Sequence, residues 1–439
     1  MGNNDTSRLG AGPLGRRTVL ALAATAFGMA LGSAAAQAQT LTVWSGYPEM
    51  VPFYQRVGES LKGKYPGLQV KVEAIPLREH EKRLALALPS NSAADVIELA
   101  NSTAQRYIEA GLVKTAPADA AAFVNNATYF DPFIQKTAAV GGKVYGVPLF
   151  RGQGALFYNT DKFAKAGLAE PPKTLADYTE HAKKLTERNA QGVATVSGWS
   201  MRLSGGGAGI AEKFWINLFQ NGGNLIEEQA DGKWATTYAS EAGRKTLRQY
   251  IDNVHVHKVV TPEMPADADA FQREQTAMFI RESWVIGDIA QKAPNLKYST
   301  ALLPRGTIVA PVFFYSPNEG EKARIAWDFA IAANSPENAV WLLDNVGWLP
   351  NRKDVDYSAV VAKKPAFKAF VNYPKDYAFF TLPAIAPVEE VLTRLAARLT
   401  KAFGDASLAG NDAGIDAVLK EAAAETDTIL RRAGLLASK

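Results

Sequence analysis

Short β-type runs alternate with helical stretches along this chain, and that rhythm constrains its fold more than any other feature. Leu41-Thr42-Val43-Trp44 reads as a strand, and Ser45-Gly46-Tyr47-Pro48 breaks it. A helical stretch runs to Lys64, and Tyr65-Pro66-Gly67 forms a turn. Leu68 to Ile75 alternates apolar and polar residues, as a half-buried strand does. Arg78 to Ala87 predicts a helix and Asp95 to Leu99 a third strand. Such alternation predicts βαβ units and an α/β fold on a mostly parallel sheet. It resumes between Gly154 and Ala330 and gives way to helices near the C-terminus.

With 439 residues the chain is long enough for two or three cores. Its 47% hydrophobic and 21% charged residues are globular values, which argues against disorder and coiled coil. Lys plus Arg (48) nearly balances Asp plus Glu (44), so no nucleic-acid or anionic-membrane partner is expected. Cysteine is absent, which excludes disulfides, thiol catalysis and Cys-ligated metal. With 4 histidines in all, a multi-His centre is not expected either, so the reading includes no metal and no cofactor.

Residues 1–38 read as a signal peptide. Arg8, Arg16 and Arg17 make a basic start, Thr18 to Ser33 is uncharged and rich in Ala and Leu, and Ala36-Gln37-Ala38 suits signal peptidase. The apolar stretch is shorter than the ~20 residues a membrane span needs. Arg16-Arg17 before Thr18-Val19-Leu20 resembles a twin-arginine signal, although ordinary secretory signals also carry such pairs. The expected location is therefore the periplasm, by either route. Proline and glycine mark three stretches where the chain can cross between lobes or form surface loops: 141–150, 302–306 and 347–350.

A series of segments is similar to the extracellular solute-binding proteins of ABC importers, family 1, which includes maltose, sugar and glycerol-3-phosphate binders. Trp44-Ser45-Gly46, Ala94-Asp95-Val96-Ile97 and Tyr107-Ile108-Glu109-Ala110-Gly111-Leu112 come first. Gly146-Val147-Pro148 then leads to Leu156-Phe157-Tyr158-Asn159-Thr160-Asp161, and Pro172-Lys173-Thr174 and Asn221-Gly222-Gly223 follow. Ala277-Met278-Phe279 with Trp284, and Ala326-Trp327-Asp328-Phe329, complete the register. The resemblance implies an α/β, two-lobe periplasmic-binding-protein fold with discontinuous lobes and a hinge. On that reading 39–148 plus 305–349 form lobe 1, and 149–304 plus 350–439 form lobe 2. It also implies a monomer that captures a solute without catalysis and delivers it to an inner-membrane ABC permease.

A sugar presents apolar C–H faces and a rim of hydroxyls, so its cleft wants aromatic platforms with planar donors and acceptors. Residues at strand ends and crossings are the candidates: Trp44, Ser45, Tyr47, Glu98, Asn101, Arg151, Arg202, Ser204, Trp284 and Tyr315. Trp284 matches the family's stacking tryptophan, and Trp348 and Arg352 are weaker choices. The glycine-rich run 201–207 is not a P-loop, because no Gly-Lys-Ser/Thr follows it. Arg151, Arg202 and Arg281 could pair with a carboxylate, phosphate or sulfonate. Val388-Glu389-Glu390 follows Leu382 to Pro387 where relatives carry an aromatic platform. The stacking ladder is thus incomplete, and a mono- or disaccharide-sized carbohydrate is expected, in neutral, acidic or phosphorylated form.

Two other classes compete. A secreted carbohydrate-active hydrolase needs two carboxylates in different environments, and no spacing nominates a pair. A metal-complex binder would draw on His255 and His257 or Tyr373 and Tyr377, pairs more readily explained by packing.

Overall fold

The computed structural model describes residues 39–438 apart from 206, 262 and 264–266. The expected leader lies outside the described residues. Nine strands share one sheet: β1 (Thr40–Ser45), β2 (Gln69–Ala74), β3 (Val96–Ala100), β4 (Val147–Asn159), β5 (Met278–Glu282), β6 (Tyr298–Ala301), β7 (Gly306–Tyr315), β8 (Leu349–Pro350) and β9 (Ala378–Phe380). The main path is β5-β4-β7-β3-β1-β2, with β6 and β8 also on β4 and β9 on β7.

The sheet is mixed rather than mostly parallel. β1 pairs β2 and β3 in parallel, as βαβ units require. Every pairing of β4 is antiparallel, and so is that of β7 with β3. The cause is the path of the chain, which runs outward along the 13-residue β4 and returns along β7.

The helices that matter here are α1 (Val51–Ser60), α2 (Leu77–Ala87), α3 (Asn101–Glu109), α4 (Gly209–Gln220), α5 (Trp284–Lys292), α6 (Gly320–Ala332), α7 (Val388–Phe403) and α8 (Asp412–Arg432). In α7, Val388, Val391, Leu392, Leu395 and Leu399 repeat at helical spacing and are all buried. Each such side chain contributes roughly 1.5–3 kcal/mol on full burial, so the face rather than intrinsic propensity holds the helix.

Two large hydrophobic cores give the molecule its two lobes. The first gathers residues between Leu41 and Phe150 and between Val312 and Trp348. The second gathers residues between Leu156 and Ile308 and between Leu382 and Leu430. A smaller core around Phe157, Phe271, Phe279, Phe367 and Phe370 adjoins them. β4 and β7 feed both large cores, through Val147, Leu149 and Phe150 against Leu156, and through Val312 to Tyr315 against Ile308. Their pairing shifts register: Val312 faces Phe150 while Phe313 faces Pro148, so Leu149 is left unopposed in a β-bulge.

Candidate functional site

A cleft of about 360 Å³ opens where the cores meet, at the lower end of the roughly 300–1,000 Å³ common for small-molecule sites. Aromatic rings form one wall. Phe150 and Trp348 stack at 4.5 Å between centroids, and Tyr47 meets both edge-on at 5.1 and 5.4 Å. Trp284, the first residue of α5, lies 6.3 Å from Trp348 and is only partly covered. Its indole N–H donates to Glu282 Oε2 at 3.4 Å, and Trp348 donates to Glu49 Oε1 at 3.0 Å. Both rings are therefore held by a polar edge while their faces remain apolar. Gly152 forms part of the floor, where a Cβ would come within 3.3 Å of Glu282 Cγ and 3.6 Å of the Trp348 ring.

Charged groups line the rest. Arg78 of α2, in the first lobe, meets three carboxylates: Glu81 at 2.8 Å, Glu389 at 3.4 Å and Glu212 at 3.6 Å. Glu212 (α4) and Glu389 (α7) belong to the second lobe, so this cluster joins the lobes across the cleft. Burial, together with the nearby Glu81, pushes Glu389 up to about 7. On the second lobe, Lys213 donates to Glu282 Oε1 at 3.0 Å, and Arg281 Nε lies 3.3 Å from Glu282 Oε2. Burial alone would raise the Glu282 carboxyl, but Arg281 and Lys213 hold it well below the ordinary range. Ser102 and Thr103, at the start of α3, add hydroxyls. A larger groove of about 500 Å³ beside Lys114 and Trp327 belongs to the first lobe alone and lacks such a wall.

The structure divides the sequence candidates. Tyr47, Arg202 and Trp284 line the cleft, and so does Trp348. Trp44 does not: it is buried in the first core, with the Arg83 guanidinium 3.3 Å above its ring. Arg151 does not either, because β4 remains a regular strand and alternation sends Phe150 and Gly152 into the cleft and Arg151 behind it. There it donates to the Pro350 carbonyl at 2.9 Å. Tyr315 packs against Gly146 inside the first core, while Ile308, Ala310 and Val312 supply β7's cleft face. Ser204 is exposed and outside the cleft, and Asn101 is buried beside it. Arg352 pairs with Asp354 at 2.6 Å and covers the Tyr129 ring. Of the residues considered for metal, His255 bonds the Phe403 carbonyl at 2.9 Å, and Tyr373, Tyr377 and Phe379 pack on one another.

Glu98 and Ser45 act behind the cleft. Ser45 Oγ and the Gly46 N–H donate to Glu98 Oε1 at 2.6 and 2.7 Å, and the Tyr54 hydroxyl bonds Oε2. This pins the loop that presents Tyr47 and Glu49. Burial pushes the Glu98 carboxyl up to about 8, against the hydrogen bonds from Ser45 and Gly46. The folded value lies above the usual 4.5, so the folded state retains a proton that the unfolded chain loses. Stability linked to Glu98 thus declines as pH rises from about 4.5 to about 8. Glu98→Gln should flatten the melting temperature profile between about pH 5 and 8; an unchanged slope would show the carboxyl already ionised across that range.

Sequence reading passed over Lys213, Glu282, Arg78, Glu212 and Glu389 as cleft residues. Lys213 had a signal: it is the one cation of a mostly apolar helix and stands directly before Phe214-Trp215, and such a buried charge needs a partner.

Two lobes joined by strands, with a polar and aromatic cleft between them, define a binding protein of the periplasmic type. The family model for bacterial extracellular solute-binding proteins matches residues 57–369, and the chain belongs to that family. A Brucella abortus protein described as a binding protein is 24% identical over 438 residues, covering 96% of this chain and 98% of its own. Among solved structures, an ABC transporter solute-binding protein of Thermotoga lettingae bound with α-D-tagatose has TM-score 0.75 at 21% identity, over 89% of this chain and 100% of its own. A UgpB from Mycobacterium tuberculosis in complex with glycerophosphocholine has TM-score 0.74 at 18% identity, over 90% and 99%.

Proposed function

We propose that this protein captures a carbohydrate-type solute of mono- or disaccharide size in the periplasm and passes it unchanged to an inner-membrane ABC permease. The carrying observation is the cleft itself: a partly exposed Trp284 beside Trp348, facing carboxylates, guanidinium groups and hydroxyls in a space of about 360 Å³. Apolar ring against polar rim matches the two faces of a sugar. The similar tagatose-bound protein supports a small ligand. The two cores support two discontinuous lobes close to 39–148 plus 305–349 and 149–304 plus 350–439, with Leu149 and Phe150 joining the first core and Ile308 the second, and with the β4–β7 pair as the hinge. The protein acts as a monomer exported by its leader, through the general or the twin-arginine route.

Titrating the mature protein with mono- and disaccharides, neutral, acidic and phosphorylated, tests this. A matching sugar at about one hundred times its Kd adds about 2.7 kcal/mol of stability, a clear rise in melting temperature, and alters tryptophan fluorescence. Recovered sugar should be chemically intact. Failure of every sugar to shift either signal overturns the carbohydrate reading, and steady release of a chromogenic aglycone would identify a hydrolase.

A further inference from the structure

The charges at the second-lobe end of the cleft do not balance. Of the carboxylates around Arg202, Lys213 and Arg281, only Glu282 and Asp267 come within ion-pair distance among the described residues, with Glu212 farther off. Lys213 and Arg281 take Glu282, at 3.0 and 3.3 Å, and Asp267 lies 3.9 Å from Arg281. Arg202 has no carboxylate within ion-pair distance among the described residues. Its guanidinium lies over Gly209, where a Cβ would be only 2.6 Å from Nη2. Gly209 opens α4, and Ala208 before it caps no amide with its side chain, so Arg202 faces the positive end of a helix. Its backbone is left-handed, with φ of 53°, a conformation that costs a non-glycine residue energy. Arg281 Nε is buried and makes no hydrogen bond. Burial and then the Arg281 charge disfavour the charged form of Arg202, and the more distant Asp267, Glu212 and Glu282 offset this only in part.

A cation held against a helix N-terminus with no carboxylate in ion-pair range is unfavourable in the empty protein and favourable once an anion arrives. We propose that Arg202 and Arg281 form an anion subsite, and that the solute is an acidic carbohydrate whose carboxylate or phosphate they bind. This rests on the carbohydrate-binding reading and adds a charge and an orientation to it. The opposite end, where Glu81, Glu212 and Glu389 surround Arg78, has an excess of carboxylates. It repels a second anion and accepts hydrogen bonds from ring hydroxyls. Arg202 then sets specificity through a two-toothed contact that a neutral sugar cannot complete.

Isothermal titration with matched probes tests the subsite: D-glucose, D-glucuronate and D-glucose 6-phosphate, and D-galactose with D-galacturonate. An acidic member should bind at least about tenfold more tightly than its neutral parent, with affinity falling as NaCl rises. Comparison of uronate with phosphate identifies which anion the subsite takes. Arg202→Gln should abolish the preference and, because it removes a charge that has no ion-pair partner in the empty protein, should leave the unliganded melting temperature no lower than that of the wild type; Arg202→Lys should keep part of the preference. A neutral sugar that binds as tightly as its acid, or a preference that survives Arg202→Gln, overturns the subsite and leaves solute binding intact. If no probe, neutral or acidic, saturates at about 10 mM, the subsite and the carbohydrate reading fall together.

Discussion

Glu282→Ala should lower stability by roughly 2–4 kcal/mol, the largest effect expected of any single cleft substitution. Loss of one partner from a buried ion pair usually costs about 3–5 kcal/mol, because the remaining charge has no compensation. The lower range reflects the 21% of the Glu282 side chain still exposed. Lys213 would be stranded and Arg281 left with Asp267 alone, 3.9 Å away, whereas adding Lys213→Met in the same chain should recover part of the loss. Urea unfolding monitored by far-UV circular dichroism measures both. The effect also has a pH signature. Because the folded-state carboxyl is held below the ordinary 4.5, its contribution is complete above that value and is lost as pH falls toward the folded one. The wild-type protein should therefore lose stability in acid more steeply than the variant. A loss under about 1 kcal/mol would mean that solvent already screens these charges.

Trp284→Ala should weaken carbohydrate binding by about 10- to 100-fold, or roughly 1.4–2.8 kcal/mol. The ring offers a large rigid face at the cleft, and its indole N–H is already committed to Glu282. Truncation removes that face and frees one acceptor. Trp284→Phe should retain most of the affinity, because a flat apolar surface survives. Calorimetry on whichever sugar saturates the wild-type protein provides the measurement. Equal affinities for wild type and Trp284→Ala would assign the ring to support of Trp348 rather than to the solute.

How much of this was legible depends on the range over which each feature is determined. β1 to β3 and α2 follow from local periodicity, and their predicted limits fall within a residue or two of those observed. Trp284 was legible because Met278-Phe279 and the tryptophan lie in one short segment that builds strand, turn and helix start. Arg151 was misplaced for a reason that is also local: its place just after the possible crossing at 141–150 was expected to aim it into the cleft, but β4 runs on through that point and its period of two decides which side chains face the cleft. Glu98 stands out in the sequence as a carboxylate in an apolar run, but its partners Ser45, Gly46 and Tyr54 are 44 to 53 positions away and turn it inward, behind the cleft. The Arg78 cluster was out of reach altogether. Its members come from α2, α4 and α7, with 311 positions between Arg78 and Glu389, and no local pattern carries a contact of that range.

The unopposed Leu149 at the bulge has a mechanical meaning. A ladder interrupted at one point can flex there while the rungs on either side stay made, so widening the mouth breaks few main-chain bonds. The work of opening then falls on side chains, chiefly the prising of Arg78 from Glu212 and Glu389. On the proposed hinge, a solute needs to tip only that small balance, so substitutions at the rim would retune which molecules do so while the scaffold stays as it is.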